Sequence, residues 1–155
     1  MTLSVAVRFG TRRPWVPPKT RLVEWARLAA GRRAGSEELA IRVVTPAESR
    51  RLNRDYRGAD RPTNVLSFPA GPACAAPPPA PLGDLAICAG VVAREARAQR
   101  KTLAAHWAHM VVHGTLHLLG YDHVAAADAR RMERRERAVL TRLGFPDPYR
   151  ATGHG

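Results

Sequence analysis

The stretch Val111-Val112-His113-Gly114-Thr115-Leu116-His117-Leu118-Leu119-Gly120-Tyr121-Asp122-His123 holds three imidazoles at a spacing suited to one metal ion. His113 and His117 stand four residues apart, so on a helix they project from one face with Cβ atoms about 6 Å from each other. Gly120 falls where a helix takes a left-handed residue to end, and the returning chain then delivers His123 from outside the helix. Three neutral imidazoles with bonds of about 2.0–2.1 Å and an open fourth position describe a catalytic zinc site rather than a closed structural one. Cys74 and Cys88 have no paired spacing that would build a ribbon or finger.

The same stretch excludes a common chemistry. Its His-x-x-x-His-x-x-Gly-x-x-His spacing is that of the metzincin peptidases, which carry a glutamate general base after the first histidine. Here that position is Gly114, which can neither take nor orient a proton. His106 and His109 precede the motif and make His109-His113-His117 a rival trio. A straight row along one helix converges on an ion less well than two residues and a returning third, which favours His123.

The elements that must position these residues follow from patterning. Leu3–Phe9 alternates as a strand, and Pro17-Pro18 opens a helix through about Ala30 with Leu22, Trp25, Ala26 and Ala29 on its buried stripe. Leu39–Val44 is a second strand. Thr45-Pro46-Ala47-Glu48 caps a helix running to about Tyr56, which carries Arg50, Arg54 and Arg57 along adjacent turns. Val65–Phe68 is a short strand whose proline flanks make it an edge, able to hold an extended substrate. Residues 71–81 are too rich in proline for helix or central strand and read as a mobile surface loop. Leu82–Cys88 is a buried strand bearing Asp84, and Gly90–Arg100 a helix. Thr102–Leu119 is the apolar metal-bearing helix. Ala125–Leu143 is a last helix with Met132, Val139, Leu140 and Leu143 inward, and Arg130, Arg131, Glu133, Arg134, Arg135, Glu136 and Arg137 as an exposed, salt-bridged mixture.

At 155 residues the chain suits one domain spanning 1–155, with 150–155 a flexible tail. No run reaches the roughly 18 apolar residues of a membrane span, and the N-terminus lacks a signal peptide's apolar block, so a cytoplasmic protein with reduced cysteines is expected. The net charge of +12 comes from 25 basic residues, of which only Lys19 and Lys101 are lysines. Such an arginine bias also follows from genome composition, so the charge alone is weak support for a nucleic-acid partner.

His113–His123, together with Tyr56-Arg57-Gly58, Pro62-Thr63-Asn64-Val65-Leu66-Ser67-Phe68-Pro69 and Leu82-Gly83-Asp84-Leu85, resembles the YbeY family of endoribonucleases and ribosomal RNA maturation factors. The likeness runs in order from the strand at Ile41 to Asp147-Pro148-Tyr149. It implies a single-domain α+β fold with a mixed four-stranded sheet and about five helices, and one zinc ion held by His113, His117 and His123. It implies a role for Arg57 in RNA handling or catalysis, and cleavage of single-stranded RNA in maturing the 3′ end of small-subunit ribosomal RNA and in ribosome quality control. Expected partners are that RNA, the small subunit and its assembly factors, with neither DNA nor membrane. The proline- and alanine-rich loop departs from the family pattern.

Zinc would lower the pKa of a water to about 7 and polarise a phosphate oxygen, with Arg57 neutralising the charge that develops there. The proton acceptor is open between Asp84, Asp122 and no side chain at all, and attack by the RNA's own 2′-hydroxyl competes. Two other functions stand beside the nuclease: a non-catalytic RNA-binding assembly factor with structural zinc, and a metallopeptidase, which Gly114 disfavours.

Overall fold

Nine alternating or amphipathic segments become nine elements. A computed structural model of the chain describes residues 3–31, 37–70, 80–121 and 125–149. Cys74, Asp122, His123, residues 71–79 of the proline-rich loop and the 150–155 tail lie outside them. In chain order the elements are β1 (Ser4–Phe9), α1 (Lys19–Ala30), β2 (Glu37–Val44), α2 (Pro46–Arg57), β3 (Val65–Pro69), β4 (Ala80–Cys88), α3 (Ala89–Ala98), α4 (Leu103–Leu118) and α5 (Ala126–Arg142). The architecture is single-domain α+β, with a mixed sheet in the order β1-β2-β4-β3. The first three of these strands run parallel, and β3 closes the sheet antiparallel to β4.

Expected and observed boundaries differ by two residues at the start of β2, the end of α3 and the start of β4. The β4 strand starts at Ala80, two residues before the expected Leu82, and takes in Pro81 opposite Glu38. A register shift between Glu38 and Leu39 lets the ladder accommodate a residue that has no N–H to give.

One face of the sheet is covered throughout, and the other only in part, since β1 leaves Ser4, Ala6 and Arg8 exposed there. Leu39, Ile41 and Val43 of β2 and Leu85 and Ile87 of β4 meet Leu22 and Trp25 of α1 and Trp107, Val111 and Leu116 of α4 in the main core. On the other face Val44, Leu66, Ala86, Cys88 and Val91 form a smaller cluster against Leu52 and Phe68. Fully burying a side chain of this kind is worth about 1.5–3 kcal/mol, so the main core fixes α4 against the sheet.

Gly114 explains how closely α4 approaches. A Cβ built there would stand 2.7 Å from Cδ2 and 3.1 Å from Cδ1 of Leu85, and 3.4 Å from Cγ2 of Val65. Glycine at this position lets the helix lie down on β4 and β3. The helix starts on Thr102, whose hydroxyl accepts from the Ala105 N–H at 3.1 Å, and stops at Gly120, whose φ of 100° suits glycine. There the Tyr121 N–H reaches back to the Leu116 carbonyl at 3.1 Å.

Candidate active site

A cavity of about 830 Å³ opens between the C-terminal half of α4, the outer edge of β3 and the end of α2. His113 and His117 line it from α4, Arg57 and Tyr56 from α2, and Asn64 and Ser67 from β3 and the loop before it. The helical spacing read from sequence therefore does bring His113 and His117 to one place, with ring centroids 5.9 Å apart. Arg57 faces the same space.

Asp84 is elsewhere. Successive side chains of a strand point to opposite faces, and Leu85 packs under Gly114 of α4. Asp84 therefore belongs to the far face of β4, where it lines a separate depression of about 240 Å³ with Ser4 and Glu38. Among the described residues no carboxylate lines the histidine cavity.

The carboxylate that does serve the histidines is Glu136, the residue expected on the exposed face of α5. It is fully buried, at 0% exposure. Its Oε2 lies 2.8 Å from His109 Nε2 and 3.1 Å from His113 Nδ1, and its Oε1 accepts from the Tyr149 hydroxyl at 2.7 Å. Burial acts to raise its pKa, but the hydrogen bonds from the two imidazoles outweigh burial and bring it down to about 2. Tyr149 moves the opposite way, raised by burial and by the neighbouring Glu136 charge. An ionised carboxylate only accepts, so each imidazole presents an N–H to it. In the neutral imidazole of His113 the proton accordingly sits on Nδ1, which leaves the lone pair on Nε2.

Sequence offered one signal for this. Glu136 follows Met132 by four residues and precedes Val139 and Leu140 by three and four, which places it on the apolar stripe of α5. A charged residue on such a stripe needs a buried partner.

Ligand atoms of His109, His113 and Glu136 lie within 4.8 Å of one another, so these three are also a possible metal-holding group. Glu136 already satisfies three donors, which suits a carboxylate that orients imidazoles. The N-donor set His113 and His117 fits a zinc-type ion, because the first ring is locked in the tautomer that offers Nε2.

Arg57 differs from its neighbours on α2. Arg50 makes two bonds to Asp60, at 2.7 and 3.0 Å, Arg51 reaches Glu48 and Arg54 reaches Asp55. Among the described residues no carboxylate pairs with Arg57. The loop that follows is tied down from α2. The Ser49 hydroxyl bonds both the N–H and the C=O of Thr63, and the Asn53 amide donates to the Arg61 carbonyl at 2.8 Å.

Asn64 is held in turn by Glu95 of α3, whose Oε1 accepts from the Asn64 amide at 3.0 Å and lies 2.9 Å from His106 Nε2. His106 thus serves the wall of the cavity from behind. It is buried, its Nδ1 meets no partner among the described residues, and burial lowers its pKa against the smaller opposing pull of Glu95.

The family model for endoribonuclease YbeY matches residues 20–144. A protein named endoribonuclease YbeY from Alkalilimnicola ehrlichii is 59% identical over 142 residues, covering 89% of this chain and 85% of the relative. One of the same name from Halorhodospira halophila is 54% identical over 139 residues, covering 86% and 88%. The solution structure of TM1509 from Thermotoga maritima, 23% identical, superposes with a TM-score of 0.58 over 95% of this chain and 99% of that one, and shares the fold. With the family model spanning most of its length and relatives above half identity, the chain belongs to the endoribonuclease YbeY family.

Proposed function

We propose that the protein is a zinc-dependent endoribonuclease that cuts single-stranded RNA in the α4–β3–α2 cavity and matures the 3′ end of small-subunit ribosomal RNA. One observation carries the reading: the only α2 arginine of its run without a carboxylate partner among the described residues lines the same cavity as His113 and His117.

His113, His117 and His123 are the residues we assign to the ion. When bound, zinc supplies Lewis-acid polarisation of a phosphate oxygen and lowers the pKa of a water to about 7. Glu136 keeps the proton of His113 on Nδ1. Arg57 offers a planar, permanently charged fork to the phosphoryl oxygens, where negative charge grows as the bond breaks. Asp84, on the far face of β4, has no path to a proton in this cavity, so we assign it no proton transfer. Gly114 faces Leu85 rather than the cavity, which removes the peptidase alternative on position as well as on chemistry.

The cellular setting we infer is cytoplasmic, with the small ribosomal subunit as the partner that presents the RNA. Among the described residues no helix is long and apolar enough to cross a membrane. The test is cleavage of a labelled single-stranded RNA and its duplex by purified wild type, Arg57→Glu and His117→Ala. Wild type is expected to cut the single strand alone, and both variants to be inactive. Equal activity in all three preparations would mean that the nuclease is a contaminant.

A further inference from the structure

We propose that Tyr56 and the outer edge of β3 form a subsite for one unpaired nucleobase beside the cleavage site; this rests on the nuclease reading above.

Tyr56 is a large aromatic left 52% exposed, and it lines the cavity next to Arg57. Its ring is not loose. It packs on Phe68 with centroids 4.5 Å apart and planes tilted by 58°, and Phe68 is seated against the smaller core cluster. A rigid, half-exposed aromatic at the wall of a phosphate-handling cavity is a stacking platform, because every base has a π-face.

The β3 edge supplies what stacking lacks. Cys88 N–H donates to the Asn64 carbonyl at 2.9 Å and Ala70 N–H to the Leu82 carbonyl at 3.3 Å. In an antiparallel ladder these fix the alternation: Asn64, Leu66, Phe68 and Ala70 bond inward to β4, whereas Val65, Ser67 and Pro69 turn their backbone groups outward. The Val65 N–H is occupied by its neighbour Asn64 Oδ1 at 2.6 Å, and Pro69 has none to offer. Among the described residues the outward edge of β3 therefore presents a single backbone donor, the Ser67 N–H, beside the Ser67 carbonyl. An adjacent donor and acceptor match the hydrogen-bonding edge of a base, and that edge is available only when the base is unpaired. The subsite thus selects single strands by occupying the groups a duplex uses for itself.

Binding tests this independently of cleavage. The probe is a labelled single-stranded 2′-O-methyl RNA, checked by gel to stay intact, together with versions carrying one abasic nucleotide at each position in turn. Tyr56→Ala should weaken binding by between about 5- and 100-fold, with Tyr56→Phe close to wild type. One abasic position should cost wild type a similar factor and cost Tyr56→Ala little more. Ser67→Pro, which deletes the outward N–H without touching the β4 ladder, should reduce the preference among bases at that one position. If Tyr56→Ala loses melting temperature, the abasic scan on wild type decides alone. Equal losses at every abasic position, or an undiminished affinity of well-folded Tyr56→Ala, would overturn the subsite. Should wild type show this binding pattern yet cut no RNA, the subsite stands and the nuclease reading fails.

Discussion

Nδ1 of His113 lies 3.1 Å from Oε2 of Glu136, so a fully buried carboxylate on α5 fixes the tautomer of an imidazole that faces the cavity from α4. The contact joins residues 23 apart in sequence across the α4–α5 interface. It makes the geometry of the site a property of how two helices pack.

Glu136→Gln should keep the fold and weaken zinc binding by about 10–100-fold, the usual cost of losing a carboxylate behind a ligand. Isothermal titration with zinc reads it directly. Glu136→Ala strands the donors of His109, His113 and Tyr149, and urea denaturation should show a loss above about 3 kcal/mol. Zinc affinity unchanged in the Gln variant would remove Glu136 from the site.

Gly114→Ala brings a methyl group to 2.7 Å from Leu85 Cδ2. Overpacking costs about 1–3 kcal/mol and the helix gains up to about 1 kcal/mol from alanine, so the variant should be destabilised by about 1–2 kcal/mol. In a Leu85→Ala background the clash is gone and Gly114→Ala should be neutral or stabilising. Additive effects in this double-mutant cycle would show that the close approach does not govern the position.

Arg57→Lys should lower the cleavage rate by about 10–100-fold, because an ammonium cannot reproduce the bidentate fork. Its melting temperature should match wild type, since no ion pair among the described residues depends on it. A fall in both would mark Arg57 as structural.

Burial holds His106 below the ordinary histidine value of about 6.5, and a proton on its orphaned Nδ1 would be a buried donor with nothing to receive it. The unfolded chain therefore binds this proton more readily than the folded one. Stability from this residue is complete above about pH 7.5 and falls as the pH drops through 6.5. The difference in urea midpoint between pH 7.5 and 5.5 should be smaller in His106→Gln than in wild type. A difference that is the same in both would assign the acid sensitivity to another group.

Local patterns foretold most of the elements because each one is written in a few neighbouring residues. Thr45-Pro46 caps the helix it was expected to cap, the metal-bearing helix begins within one residue of the expected Thr102, and the proline-flanked β3 is an edge strand. The pair His113 and His117 was legible for the same reason, as a spacing on one helix. Glu136 was not, because its burial depends on α5 turning that face toward α4, and its arginine-rich neighbours made it resemble a solvated residue. Asp84 misled in the reverse direction. Its closeness to the motif residues in β4 hid the alternation that sends it to the far side of the sheet. Tyr56 continues the stripe of Ser49, Leu52 and Asn53 on α2, so its spacing reads as packing, and the cavity shows that half of its ring is left for something else.

The antiparallel pairing of β3 with β4 has an evolutionary consequence. The chain leaves the sheet at Ala70 and rejoins it at Ala80, with the Ala70 N–H bonded to Leu82 at the exit. Closing a longer connection costs only about 0.6 kcal/mol for each doubling of its length. Segments of very different size and composition can therefore be exchanged at this point while the cavity edge one residue away keeps its register. The connection is a place where this fold tolerates a change of chain length without rebuilding the cavity beside it.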